Sequence, residues 1–187
     1  EDVRFRNHSG IDGRALLRAI YGALTGKSSS GGASTITQQL SKMLFTDKPS
    51  SGVERVMQKL KEWIISGQLE KRYTKDEILT MYLNRFDWVN NAVGIKSASQ
   101  VYFNKAPIDL NVLESAMLVG MLKNPSYYNP NRRIELTERR RNIVLSQMRK
   151  YDVISDYLFD SLVQQPIILN FKKASHNEGL APYFREY

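Results

Sequence analysis

The segment VERVMQKLKEWIISGQLEKR, residues 53–72, reads as one amphipathic helix. At 100° per residue, Val53, Val56, Met57, Leu60 and Ile64 fall on one face. Arg55, Gln58, Lys59 and Glu62 fall on the opposite one. An apolar stripe of this kind ordinarily turns toward a core. Lys59 and Glu62 are three residues apart, so both can point into one cleft. The plainer alternative is a surface ion pair contributing little.

Helical patterning continues on both sides. Upstream, GRALLRAIYGALT (13–25) has apolar residues at helical spacing, and a second helix is predicted from Thr35 to about Phe45. GKSSSGGAS (26–34) and TDKPSSG (46–52) are flexible breaks by composition. Downstream, Thr74 and Glu77 form a capping box for a helix through about Leu83. Further helices are predicted over 90–103, over 111–122 capped by Asp109 or Asn111, and over 135–150 and 152–164. NPSYYNPNR (124–132) is a Pro/Asn loop, and from Gln165 the chain loosens into a polar tail. Strand signals are weak, so the fold class is mainly α.

The chain has 187 residues, 42% hydrophobic and 25% charged, which fits one domain with an ordinary globular composition. It has no cysteine, which excludes disulfides and thiolate metal sites. No apolar run approaches the roughly 20 residues of a membrane span. No signal peptide is visible and the chain starts at Glu1, so an N-terminal part is expected to be missing. The net charge of +8, concentrated in Arg132, Arg133, Arg139, Arg140, Arg141, Arg149 and Lys150, suits an anionic partner or a basic solvated surface. No nucleic-acid-binding signature accompanies it, so nucleic acid is not an expected partner.

Two segments carry chemistry. EDVRFRNHSGID (1–12) combines two carboxylates, His8 and Gly10, a kit for acid–base work; solvated acidic residues at a chain start are the alternative. GGASTITQQLSK (31–42) puts small residues before a helix carrying Thr35, Gln38, Gln39 and Lys42, which suits a diphosphate, or simply an N-capped loop. It lacks the Walker A spacing.

Taken in order, Glu1–Gly10, Gly32–Gln39, Lys59–Glu62, Lys75–Asn84 and Arg140–Leu145 resemble the five motifs of the family 51 peptidoglycan glycosyltransferases. These are the transglycosylase domains of bifunctional class A penicillin-binding proteins. AVGIKSASQVYFNK (92–105) and LVGMLKNPSYYNP (118–130) also look like that family, and the resemblance runs to about Leu162. It implies a lysozyme-like helical head with a small mobile jaw at roughly 22–56, in a single domain over 1–187. The tail 166–187 then leads toward a transpeptidase domain.

The implied activity polymerises lipid II into β-1,4 glycan strands with inversion and release of undecaprenyl diphosphate. Glu1 matches the general base, and Glu62 the second essential carboxylate. Asp2, Phe5 and His8 match residues around the base. Thr35, Gln38, Gln39 and Lys42 match the donor-binding motif, and Lys59 a diphosphate-binding lysine. Tyr82 and Asn84, counted with the substrate-binding residues, match the fourth motif, and Arg140 and Arg141 the fifth; both motifs are more structural. No tightly bound cofactor is implied, only a divalent cation, Mg2+ or Mn2+, at the substrate diphosphate. Implied partners are lipid II, the growing lipid-linked glycan, the membrane surface and cell-wall synthesis proteins. The implied location is the extracytoplasmic face of a bacterial cell membrane, with a transmembrane anchor lying outside this chain.

Three positions depart from the family pattern: Ala33 for Gly, Met43 for Asn, and Gln58 for Arg. The last removes a cation, and Arg55, on the same face, is the candidate to replace it. Lys75 reads as an ordinary exposed charge. The competing readings are a lysozyme-like hydrolase or lytic transglycosylase acting on finished glycan, and a non-enzymatic binder of anionic lipid or nucleic acid. A hydrolase has no need of Lys42 and Lys59 as diphosphate ligands.

Overall fold

The structure, a computed structural model, describes residues 2–25, 34–45 and 51–172. It is mainly α, as expected, and the described residues contain no strand, only an isolated bridge between Asp87 and Val93. The chain divides into two compact units, Glu1–Arg85 and Phe86–Tyr187.

The first unit opens with a 3-10 turn, Phe5–Asn7, followed by α1 (Gly13–Leu24), α2 (Ile36–Phe45), α3 (Gly52–Arg72) and α4 (Lys75–Arg85). Local chemistry sets the helix starts. Asp12 accepts from the amides of Arg14 and Ala15 to cap α1, and Ser51 accepts from Glu54 N–H to cap α3. Thr74 and Glu77 close their predicted capping box at α4, the Thr74 amide donating to Glu77 at 2.7 Å. That amide, together with the Thr74 hydroxyl donating at 2.8 Å, holds the Glu77 carboxyl below its ordinary pKa. Of the expected jaw, residues 26–33 and 46–50 lie outside the described residues.

α3 spans the predicted segment, but its buried face is the opposite of the one its pattern predicts. Val53 is 77% exposed and Ile64 64%, and Val56, Met57 and Leu60 are exposed too, whereas Glu62, Ser66 and Leu69 are buried. The reason lies in side-chain size. α2 meets α3 through hydroxyls, with Ser41 Oγ 3.0 Å from Ser66 Oγ, and the backbone of Gly10 presses on that of Ser66. Helices approach this closely only over small residues, so the bulky stripe is left outward.

The second unit contains α5 (Ile95–Phe103), a 3-10 turn at Pro107–Asp109, α6 (Val112–Met121), α7 (Ile134–Lys150) and α8 (Asp156–Val163). Ala116, Leu145, Ile154 and Leu162 form its α6–α7–α8 core. Asn111 and Glu114 make the capping box of α6. Two predicted starts are corrected. Val89, Asn90 and Asn91 have φ of 57°, 53° and 62°, so no helix starts at Asn90, and α5 begins only after Gly94. This left-handed run is held by the Asp87 carboxylate, which accepts from Val89 N–H, and by Asn90, which donates to the Tyr102 hydroxyl at 2.9 Å. Burial pushes the Tyr102 phenol up to about 12. α8 begins at Asp156 with Ser155 as its cap, because Asp152 at φ 57° breaks the chain direction before it.

Candidate active site

Every candidate binding or catalytic residue belongs to the first unit, and the described ones fall into three connected groups. The first surrounds Asp2. Its Oδ2 accepts from Ile36 N–H, at the start of α2, and from His8 Nε2, both at 3.0 Å. Gly10 N–H donates to His8 Nδ1 at 3.2 Å, so the proton on the neutral imidazole lies on Nε2, facing Asp2. The Asp2 and His8 side chains are 5% and 7% exposed, which makes this a nearly dry dyad rather than a solvated acidic start. Phe5 is buried and stands edge-on to the His8 ring. Glu1, bonded to Asp2, lies outside the described residues.

The second group is the opening of α2. Thr35 Oγ1 accepts from Gln38 N–H, and Gln38 Oε1 accepts from Thr35 N–H, both at 3.2 Å, a reciprocal capping box. Thr35 also donates to the Gly10 carbonyl at 2.6 Å, joining the first and second motifs. Both side chains are buried. Their polar atoms thus organise the loop, a role that T-x-x-Q spacing could have signalled from sequence. Gln39 accepts from the buried Tyr82 hydroxyl at 3.0 Å, tying α2 to α4. Lys42 and Asn84 are exposed.

The third group lies on α3. Lys59 Nζ contacts Glu62 Oε2 at 2.6 Å, Gln58 Nε2 donates to Glu62 Oε1 at 3.2 Å, and Lys59 also reaches Ser34 Oγ at 3.2 Å. The Glu62 side chain is 2% exposed and that of Lys59 46%, so this is a buried carboxylate under a half-open ammonium, not a surface pair. Gln58, which departs from the family pattern, spends its amide on Glu62. Arg55 is exposed one turn earlier.

The sequence reading missed Lys75 as a structural charge. Its side chain is only 19% exposed, and it pairs with Glu70, which is 6% exposed. The signal available was a cation at the first position of a helix, where the macrodipole disfavours it unless an acid compensates.

Within the opening segment, Arg4 bonds the Asp12 carboxylate. Burial pushes that carboxyl's pKa up, but Arg4 and the amides of Ala15 and Arg14 outweigh it and hold it below the ordinary carboxylate value. In the second unit, Arg140 Nε donates to the Gly120 carbonyl at 3.2 Å, and the buried Arg141 donates to Asn142 Oδ1. These bonds fit the structural role expected of the fifth motif. Among the described residues no cluster of three or more His, Asp or Glu could hold a metal ion, and no helix is long and apolar enough to cross a membrane.

A dry Asp–His dyad, a capped loop and a buried carboxylate under an ammonium thus lie in one helical unit. Residues 1–149 match the transglycosylase family, and the chain belongs to it. It is 34% identical over 186 residues to penicillin-binding protein 1A of Haemophilus influenzae, covering 100% of this chain and 21% of that protein. It is 38% identical over 186 residues to penicillin-binding protein 1A of Escherichia coli, again covering 100% of this chain and 21% of the relative. The chain therefore spans about a fifth of the length of these relatives. A crystal structure of the Haemophilus influenzae protein aligns with a TM-score of 0.47 at 26% identity, covering 73% of this chain and 17% of that one.

Proposed function

We propose that this chain is a peptidoglycan glycosyltransferase that extends glycan strands from lipid II. The acceptor 4-hydroxyl attacks the donor's anomeric carbon, its proton passes to Glu1, and undecaprenyl diphosphate leaves with inversion to give a β-1,4 bond. The base must take the proton as attack proceeds, and fixed cations must meet the charge developing on the diphosphate. The observation that carries this reading is the Lys59–Glu62 pair, a half-open ammonium held over a buried carboxylate beside the start of the second motif.

In this reading Glu62 fixes Lys59, and Lys59 and Lys42 receive the diphosphate. Arg55 supplies a further cation from one turn before Lys59. Thr35, Gln38 and Gln39 shape the donor wall. Asp2, Phe5 and His8 hold the base-bearing segment, and Tyr82 and Asn84 set α4 behind it. A divalent cation, Mg2+ or Mn2+, arrives with the diphosphate rather than on a protein cluster. The exposed apolar side chains of α3, from Val53 to Ile64, support work against a lipid surface, at the extracytoplasmic face of a bacterial membrane. Other cell-wall synthesis proteins are partners there.

A hydrolase or lytic transglycosylase acting on finished glycan is the competing reading, and Lys59 argues against it, because such chemistry releases no diphosphate. Incubation with lipid II in detergent separates them. The proposal expects polymer together with released lipid diphosphate, and loss of both by at least about 100-fold in Glu1→Gln. Cleavage of finished glycan without lipid II turnover would overturn it.

A further inference from the structure

We infer that Lys75 is a positioning residue for the reaction, holding the base-bearing first motif in register through the His8 carbonyl. This inference rests on the glycosyltransferase reading. Lys75 Nζ donates to the His8 carbonyl at 2.5 Å, contacts both Glu70 oxygens at 2.7 and 2.8 Å, and stands 4.5 Å from the centre of the Phe5 ring. Glu70 in turn accepts from the Thr37 hydroxyl at 2.5 Å. One ammonium thus joins the 5–8 segment, the end of α3 and the start of α4, and through Glu70 it reaches α2.

The surroundings of this cation oppose it unless its partners compensate. A lysine at the first position of a helix works against the macrodipole. Removing an ammonium from water costs several kcal/mol unless it is paired and hydrogen-bonded. Here both costs are met by a carboxylate that is itself almost dry. A second ion pair joins the same two segments, Arg6 to Asp76 at 2.7 Å, but its side chains are 68% and 76% exposed. That exposed pair contributes little, so of the two ion pairs the buried one carries the tie between this segment and α4.

From the His8 carbonyl the constraint runs a short way. The His8 ring meets Asp2 through Nε2 and Gly10 through Nδ1, and Asp2 is bonded to Glu1. A displacement of about 1 Å in a reacting group can cost about 100-fold in rate. Among the described residues Lys75 meets α3 and α2 only at Glu70 and Thr37, neither of which is a proposed substrate contact, so its loss should act on turnover more than on substrate affinity.

The test compares Lys75→Met, Lys75→Arg and the control Arg6→Met in lipid II turnover, with nitrogen-15 NMR of His8 on the same proteins. Lys75→Met is expected to lower kcat by about 10- to 100-fold with KM within about 2-fold. It should also move the His8 Nδ1 and Nε2 resonances. Lys75→Arg should recover most of the rate, and Arg6→Met should match the wild type. Unmoved His8 resonances in a folded Lys75→Met protein, or a loss carried by KM alone, would overturn the inference. If Lys75→Met does not fold, a Lys75→Arg protein with wild-type NMR and a rate as low as a Glu1→Gln protein overturns it as well. Absence of lipid II turnover in the wild type would refute the glycosyltransferase reading instead, while the NMR comparison still reports on positioning.

Discussion

Removing the ammonium from Lys59 should destabilise this protein more than removing the charge from Glu62. The Glu62 carboxylate is 2% exposed and, among the described residues, keeps only the Gln58 amide, at 3.2 Å, as a side-chain donor once Lys59 is gone. The Lys59 ammonium, 46% exposed, can turn into water if Glu62 is neutralised. Exposed pairs couple by about 0.2–1 kcal/mol, and breaking a buried pair costs about 3–5 kcal/mol. With one partner dry and the other half open, the coupling should fall between, at about 1.5–2.5 kcal/mol. A double-mutant cycle of Lys59→Met and Glu62→Gln, read by urea unfolding, measures it. Lys59→Met should cost about 2 kcal/mol and Glu62→Gln clearly less. Because the 2.6 Å contact is shorter than the roughly 3 Å Debye length in 1 M salt, most of the coupling should survive there. A coupling below about 0.5 kcal/mol, or equal costs for the two single variants, would refute the reasoning.

Two further perturbations test the frame that carries the site. Gly10→Ala would place a Cβ 3.0 Å from the backbone C and O of Ser66 at a φ of +92°, so unfolding should report a loss of about 2–4 kcal/mol, and a near-neutral result would contradict that approach. Asp12→Ala removes a cap and the partner of Arg4, at a cost of about 0.5–2 kcal/mol near neutral pH. The folded-state pKa of Asp12 is depressed, so its contribution is complete above the unfolded value and is lost as pH falls through the folded one. The stability gap between wild type and variant should therefore close in acid below about pH 4, and a gap that widens there would reverse the assigned sign.

The helices were legible because their periodicity and caps are local. Ser51, Thr74 with Glu77, and Asn111 with Glu114 all sit where the pattern places a helix start. The burial of α3 was not legible, since a hydrophobic stripe does not reveal whether it meets protein or another apolar phase. The choice was made by Ser41, Ser66 and Gly10, small residues whose effect depends on contacts 25 and more positions apart in sequence. The left-handed run at Val89–Asn91 escaped because a valine there contradicts its own preference, and long-range bonds such as Asn90 to Tyr102 hold it. Within the site, the pairing of Lys59 with Glu62 followed from their spacing. The burial of Lys75 did not, because it depends on the 5–8 segment, which lies far away in sequence, as well as on Glu70 of α3.

The capped opening of α2 bears on inhibitor chemistry. Two of the first three amides of that helix are already engaged, Ile36 by the Asp2 carboxylate and Gln38 by the Thr35 hydroxyl. The positive end of the helix already faces a built-in anion, so a phosphate mimic aimed at its backbone would have to displace Asp2 and undo the dyad with His8. On the proposed diphosphate role of Lys42 and Lys59, a competitive compound gains more by presenting its anionic group to those side chains and keeping its sugar-like portion neutral toward this end of the helix. Resistance to such a compound would then arise by changes at Lys42 or Lys59 rather than at Thr35 or Gln38, whose replacement would loosen the loop itself.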